Sequence, residues 1–472
     1  MLKIFGAARP DHPMADPRAA RRILDDLPAQ DSKAAEELAH WHESVAAAEG
    51  FKPEQRFQLL ALIDDAAQPR LRKLAREYLV PGRRSSFEEA QMWGRIHDYW
   101  RNAGQAYAHC IESVLKGGDI GKAALPLLVV RALRSLTQQI KWLHLRYGPA
   151  DPAVWGLLNR VYAFAEVRGI AEARIEFLKA AMFTASSPNS LLPAEMELAE
   201  RFIGELAPRF AIANTPAPEL PYWTDLGQAM APVRTARPPG QSVGLRWFGP
   251  GAAPAQLESV ASSTQRGGGG DAGMALEVMR HLALCWAPEP PGRKDLRHNV
   301  KTRLTVAHGF DGVLDALGGG NSLDFEMRAA ESWVVENVSA GGFGALVPQM
   351  KNDWLRVGTL LALQPDGGDN WVVGMVRRVA RMPQQEARVG IQTLSKAPAV
   401  WTFDLRGIGQ QNGIVLQEGA EPAIVLPAGV YTRGINLEAE RGGRQHVYMP
   451  QGIAQRGEDY EIVRFREMIR ES

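Results

Sequence analysis

Apolar positions along this chain keep two different periods. From residue 17 to about 210 they recur every three or four residues, the spacing of one buried helix face. In PEQRFQLLALIDDAAQPRLRKLAREYLV, Phe57, Leu60, Leu71, Leu74 and Tyr78 keep that spacing, and Pro69 predicts a break or a fresh start. SSFEEAQMW opens another helix, with Ser86 as N-cap and Glu89 three residues on as a capping box. PLLVVRALRSLTQQIKWLHLRYGP stops at Gly148-Pro149. DPAVWGLLNRVYAFAEVRGIAEARIEFLKAAMF then reads as two helices bent at Arg168-Gly169. From Arg297 the pattern becomes strand and turn. KTRLTVAHGF, ESWVVENVS, FGALVP, VGTLLALQ, NWVVGMVRRVARM and RVGIQTLS are short runs of Val, Ile, Leu and Thr, separated by Gly, Asp and Pro as in a small antiparallel barrel. GIVLQ, PAIVLPAGVYTRGINLEA, QHVYMPQGI and DYEIVRFREM continue it, either extending the same barrel or forming a second one.

The expected organisation is therefore an α+β multidomain chain. It has a disordered start (1–16), an all-α helical domain (17–210) and a Pro-rich linker or strap (211–242). A β-rich domain with its own N-terminal arm (243–396) and a C-terminal β-rich extension (397–472) complete it. Within 243–396, SVGLRWFG reads as a strand, RGGGGDAG as a flexible tip and MALEVMRHLALCWAPEPP as a short helix closed by prolines. Trp155, Leu158 and Tyr162, with Ala171 beyond the bend, stand at the offsets of a tetratricopeptide repeat, but no second copy follows at a fixed period. The main expectation is an αα-hairpin with core aromatics; a bundle with a protein-docking groove is the alternative.

Composition narrows the function more than the fold. The 472 residues are 45% hydrophobic and 23% charged with net charge +1, which argues against bulk binding of nucleic acid or acidic membrane. Two cysteines far apart, Cys110 and Cys285, imply a reducing compartment without a disulfide framework. The N-terminus lacks an apolar core of signal-peptide length, and AALPLLVV ends at Arg131, too short to span a bilayer. A cytoplasmic protein without membrane insertion is expected.

The chemistry-bearing residues gather in two short stretches. GRKDLRHNVKTRLTV sets Arg293 and Arg297 just before a strand, and a guanidinium fork matches phosphate oxygens or the O6 and N7 edge of guanine. In WVVENVSAGGFGALVP, Asn337 and Ser339 offer an amide and a hydroxyl at a strand end, while Gly341 and Gly342 remove bulk so that backbone can approach a flat ligand. Such a set suits a small, planar, anionic partner such as a nucleotide.

Arg-x-x-x-Arg on an arm followed by Asn-x-Ser-x-x-Gly at a strand turn resembles the paired signature of PilZ domains. Here the two parts are R293-K-D-L-R297 and N337-V-S-A-G-G342. WLRVGTLLALQ, WVVGMVRRVARM and ARVGIQTLS also resemble that family's later strands, the last with its central glycine, so the likeness covers about 290–396. It implies a six-stranded β-barrel that binds the bacterial messenger cyclic di-GMP. Arg293 and Arg297 would clasp phosphates and guanine edges, Asn337 and Ser339 would contact guanine, and Gly342 would keep the surface open. Gly341, Arg377 and Arg378 are auxiliary candidates. Binding would draw the arm onto the barrel and re-aim the helical domain toward an unidentified protein partner, in control of motility, attachment or exopolysaccharide. Asn337 lies 40 residues after Arg297, longer than the family usually shows. The surplus around 310–332 is either a loop or a cover over the pocket.

Other patterns are bland. His40 and His42 do not share a helix face, and His281 with Cys285 has no third ligand near it, so no metal is expected. Neither GGGG nor GGGN leads into a phosphate loop, and no catalytic pattern stands out. The chain is read as a receptor, not an enzyme, with no resident cofactor. The alternative is a ligand-free PilZ-like scaffold whose helical bundle, with Trp93, Trp100, Trp142 and Trp155, binds another protein constitutively.

Overall fold

The computed structural model describes residues 10–80, 84–149, 151–234, 240–267, 272–289, 296–318, 331–350, 354–405, 409–417 and 421–470. It divides into two compact units, Met1–Pro188 with Pro193–Pro291, and Gly292–Ser472 with Asn189–Leu192.

The first unit opens with eight helices: α1 (Pro17–Asp25), α2 (Asp31–Ala47), α3 (Pro53–Tyr78), α4 (Ser86–Leu115), α5 (Ala124–Leu145), α6 (Pro152–Arg168), α7 (Glu172–Ala185) and α8 (Pro193–Leu206). Four of them begin on proline, whose missing N–H costs nothing in a first turn. Asp16 and Asp151 cap α1 and α6 through the amides of Ala19 and Ala153. The capping box of α4 is Ser85 with Glu88, one residue earlier than the sequence predicts, because Ser86 is already helical. Pro69 does not break α3. Ile63 and Ala67 before it and Leu71 and Leu74 after it are all buried, so packing along the whole helix offsets the roughly 3 kcal/mol that an interior proline costs. Gly169 ends α6 in the left-handed conformation, φ 67°, as the predicted bend requires.

A polar chain crosses this core. Tyr99 donates to Asp64 at 2.9 Å and lies 3.2 Å from Nε2 of His42, while Arg131 donates to Asp64 at 2.5 Å and to Asp65 at 2.8 Å. These residues come from α2, α3, α4 and α5. Complete burial pushes His42 down to about 4.

Beyond α8 a four-stranded sheet, order β1-β4-β2-β3, forms from β1 (Ala211–Ala213), β2 (Tyr222–Asp225), β3 (Val233–Arg234) and β4 (Leu245–Gly249). The side-chain N–H₂ of the fully buried Asn159 on α6 reaches the carbonyls of Asp225, Gln228 and Met230 at 3.4, 3.0 and 3.3 Å, so this Pro-rich stretch is tied down as a strap. Helices α9 (Ala253–Gly267) and α10 (Ala272–Trp286) follow.

The second unit holds two closed six-stranded barrels, antiparallel at every pairing. The first comprises β5 (His298–His308), β6 (Glu331–Ser339), β7 (Gly342–Val347), β8 (Leu360–Pro365), β9 (Val372–Arg381) and β10 (Ala387–Ser395), in the order β10-β7-β6-β5-β8-β9. The second comprises β11 (Ala399–Leu405), β12 (Gly409–Gln417), β13 (Ala423–Pro427), β14 (Leu437–Arg441), β15 (Arg444–Arg456) and β16 (Tyr460–Arg470), in the order β11-β12-β13-β16-β15-β14. The C-terminal β block is thus a barrel of its own.

The surplus after β5 begins as a helix, α11 (Gly309–Leu317), and residues 319–330 lie outside the described residues. Phe310, Val313 and Ala316 on α11 join a core with Leu360, Ala362, Val373 and Met375 of the first barrel and Ile414, Leu416, Val425, Tyr460 and Ile462 of the second. The described part of the insertion is therefore a packing element between two barrels.

Candidate functional site

The site is built on the outside of β6, β7 and β10. Along β6, Trp333 and Val335 point into the barrel and are buried. Strict alternation would send Asn337 inward after them. A register shift between Val335 and Asn337 leaves Glu336 as an extra residue, so Asn337 pairs with Gly344 on the outer side. The oxygen and nitrogen of its amide both stand 2.7 Å from where a Cβ on Gly344 would sit, so the amide lies on that glycine.

The row continues across the sheet. Gly344 pairs with Gly390 of β10, and Gly390 pairs with Arg378 of β9. The neighbouring row runs from Ser339 through Gly342 to Gln392. An amide and a hydroxyl therefore border a strip of two strands that carries glycines and one exposed glutamine.

Arg297 is exposed and lies one residue before the rung joining His298 to Val338, while Asn299 pairs with Asn337. The β5–β6 register thus brings the last residue of the predicted arm beside the turn that carries Asn337 and Ser339. Arg293 lies outside the described residues. Gly341 is exposed in the two-residue turn, and its carbonyl accepts from the amide of Thr393 at 3.0 Å. Gly342 is buried, and a Cβ there would stand 2.0 Å from the carbonyl oxygen of Ile391. Its missing side chain serves the approach of β7 to β10. The hydroxyl of Ser339 donates to the Gly342 carbonyl at 3.4 Å.

Arg377 and Arg378 are consecutive on a strand yet both exposed. A register shift pairs Gly390 with Arg378 but Ile391 with Val376, leaving Arg377 as the extra residue. Arg378 donates through Nε and Nη2 to the side-chain oxygen of Asn189 at 2.8 and 3.2 Å. Arg377 donates to Gln392 at 2.7 Å and to Gln455 at 3.2 Å. Arg388, opposite Leu346, adds a further positive charge, 3.5 Å from Glu336. Gly344 and Gln392 carry no signal in the sequence. Gly390 does, as the central glycine of ARVGIQTLS, but only the pairing shows that it adjoins Gly344.

The remaining candidates are structural. His281 Nε2 and Cys285 Sγ both address the carbonyl of Ser186, at 2.6 and 3.4 Å. Among the described residues no group of three or more His, Cys, Asp or Glu is placed to hold a metal ion. Trp100, Trp142 and Trp155 are buried, and Trp93 stacks between Arg146 and His97 with its N–H on the Trp142 carbonyl, so the tryptophans proposed for a docking face belong largely to the core. A cavity of about 580 Å³ in the first unit is lined by Lys141, Glu197 and Glu200 among others, and the buried Lys141 is already paired to both carboxylates at 2.6 and 2.7 Å. No helix among the described residues is long and apolar enough to cross a membrane.

Two family models match the sequence: "Cyclic-di-GMP receptor FimW, N-terminal domain" over residues 18–218, and "Cyclic-di-GMP receptor FimW, middle PilZ domain" over residues 328–399. The second match contains Asn337, Ser339, Gly342, Arg377 and Arg378, leaves out Arg293 and Arg297, and ends at Ala399, the first residue of the C-terminal barrel. A comparison with curated proteins finds no relative.

Proposed function

The chain belongs to the FimW family of cyclic-di-GMP receptors, whose N-terminal and middle PilZ domains it carries in order over more than half its length, and on that premise we propose that the outer face of β6, β7 and β10 is its cyclic di-GMP site. The observation that carries this reading is the row from Asn337 across Gly344 and Gly390 to Arg378. Gly344 and Gly390 add no side chains of their own, so the Asn337 amide can lie low over Gly344 and the neighbouring strand, about 4.8 Å away, stays open at Gly390 for a flat purine to approach.

At one edge, Asn337 offers both a donor and an acceptor to a guanine edge, with Ser339 beside it. Arg297 closes from the β5 side, and with Arg293 it takes phosphate oxygens or the O6 and N7 edge in bidentate fashion. Arg378 supplies charge from the opposite edge. Binding would fix the arm at 293–297 against the barrel. In this reading the helical domain relays that state to a protein partner, with motility, attachment or exopolysaccharide as output, and the protein acts as a receptor and not as an enzyme.

Calorimetric titration of the full chain with cyclic di-GMP tests the site, with Arg297→Ala and GTP as controls. The expected result is micromolar or tighter binding by the wild type, loss in Arg297→Ala and no heat with GTP. A folded wild-type chain that gives no heat with cyclic di-GMP would overturn the reading.

A further inference from the structure

The two barrels share one topology. Numbering strands within each barrel from first to sixth, both pair first with second, second with third, third with sixth, sixth with fifth, fifth with fourth and fourth with first. In both, the pairing of fifth with sixth strand carries two register shifts. The second barrel nevertheless lacks every residue of the candidate site. Where the last rung between second and third strands is Ser339 with Gly342 in one barrel, it is Gln417 with Ala423 in the other. Two residues beyond that rung on the third strand, Val425 stands where Gly344 does, and its partner is Ile414 where Gly344 pairs with Asn337. Only Lys396, Ala397 and Pro398 separate β10 from β11, which leaves no room for an arginine-bearing arm.

The same face has a different use in each barrel. The outside of the second, third and sixth strands carries Asn337, Gly344, Gly390 and Gln392 in the first barrel. In the second barrel it carries Ile414, Leu416, Val425 and Ile462, which alternate with the interior residues Val415, Ile424 and Val463. These apolar side chains are buried against β8, β9 and α11. Polar pins surround the contact. The Phe310 amide donates to Asp459 at 2.6 Å, and the Tyr460 hydroxyl to the Gly358 carbonyl at 2.7 Å. At its edge Gln455 accepts from Arg377, which itself donates to Gln392 on the row of Ser339 and Gly342.

We propose that the C-terminal barrel is a second PilZ-type barrel whose nucleotide face has become its contact with the first, and that it positions the ligand face of the first barrel through Gln455. It holds no nucleotide itself. Gln455 is a positioning residue: it fixes the bulged Arg377, and Arg377 fixes Gln392 at the rim of the glycine strip. A β-bulge re-aims the side chain it carries, and the Gln455 oxygen is one of the acceptors that hold the bulged Arg377 guanidinium. This inference rests on the cyclic di-GMP reading above.

The test is calorimetry of the full chain with cyclic di-GMP across wild type, Gln455→Ala, Gln455→Glu, Arg377→Ala and the Gln455→Ala/Arg377→Ala double variant, with melting temperatures alongside. Gln455→Ala loses the acceptor for Arg377 and a weaker hydrogen bond from Nε2 to Met375 Sδ at 2.8 Å, and is expected to weaken binding about fivefold to tenfold with the melting temperature within about 2 °C of wild type. Gln455→Glu keeps an oxygen for Arg377 and is expected to restore affinity to within about twofold, which a merely structural loss would not allow. The double variant is expected to bind no worse than the weaker single one. Unchanged affinity in Gln455→Ala overturns this inference while leaving the first site in place, whereas binding that survives Arg297→Ala counts against the first site and this inference together. No heat from the wild type would overturn the receptor reading itself, and this inference with it.

Discussion

Gly342 and Gly344 are two residues apart on β7, and they lack side chains for different reasons. A Cβ on Gly342 would stand 2.0 Å from the Ile391 carbonyl oxygen, a backbone atom that cannot move without opening the barrel. A Cβ on Gly344 would meet only the end of the Asn337 side chain. Gly342→Ala is therefore expected to cost about 1–3 kcal/mol and lower the melting temperature by several degrees. Gly344→Ala is expected to melt close to wild type and to weaken cyclic di-GMP binding about tenfold, because the amide is displaced from its seat. Thermal denaturation and calorimetry on both variants separate the two roles; a Gly344→Ala protein with full affinity would show that Asn337 does not need its place on the strip. At this scale the sequence was legible in part. It marked Asn337, Ser339 and the arginines by residue type and spacing, and Gly342 by its place in a motif. It did not reveal that Gly342 closes the barrel, since that depends on Ile391, a residue 49 positions away.

Among the elements, α2, α3, α4 and α5 are held by more than apolar contact. His42, Tyr99, Asp64 and Arg131 contribute one polar group from each helix. His42 is neutral in the fold, its pKa lowered from 6.5 to about 4 by burial, with Asp64 opposing that shift and Arg131 adding to it. Above pH 6.5 neither state binds the proton, and the fold keeps its full stability. As the pH falls below 6.5 the unfolded chain takes up a proton that the folded chain refuses, so stability is lost. Between pH 7 and 5 the loss is expected to be about 2 kcal/mol, readable as a lower denaturant midpoint in helical ellipticity, and His42→Gln is expected to flatten it. An equal loss in both proteins would place the acid sensitivity elsewhere. Helical periodicity announced these elements, but their ends depended on neighbours. Ser85 and Ser86 offer the same capping chemistry, and which one leaves the helix is decided where the chain enters the bundle. Pro69 is a local breaker that burial on both sides overrides.

At the scale of the whole molecule, the second unit folds around a core that belongs to neither barrel alone. Removing the C-terminal barrel would expose Leu360, Val373, Met375 and the buried face of α11 together. A chain ending at Lys396 is expected to aggregate or to bind a hydrophobic dye that the full chain ignores, as solubility and dye fluorescence would show. A soluble, dye-silent product would mean that the shared core is dispensable. The sequence by itself determined the helical half, the strand-rich half and the residue types of the proposed nucleotide face, because side-chain periodicity and motif spacing are local properties. Only the tertiary structure decided that the last β block closes on itself, that α11 is a wedge between barrels, and that Gly344, Gly390 and Gln392 border the predicted Asn337 and Ser339. Strand register, bulges and barrel closure are set by hydrogen bonds between residues far apart in the chain, and a shift of one residue turns a side chain from the interior to the outer face.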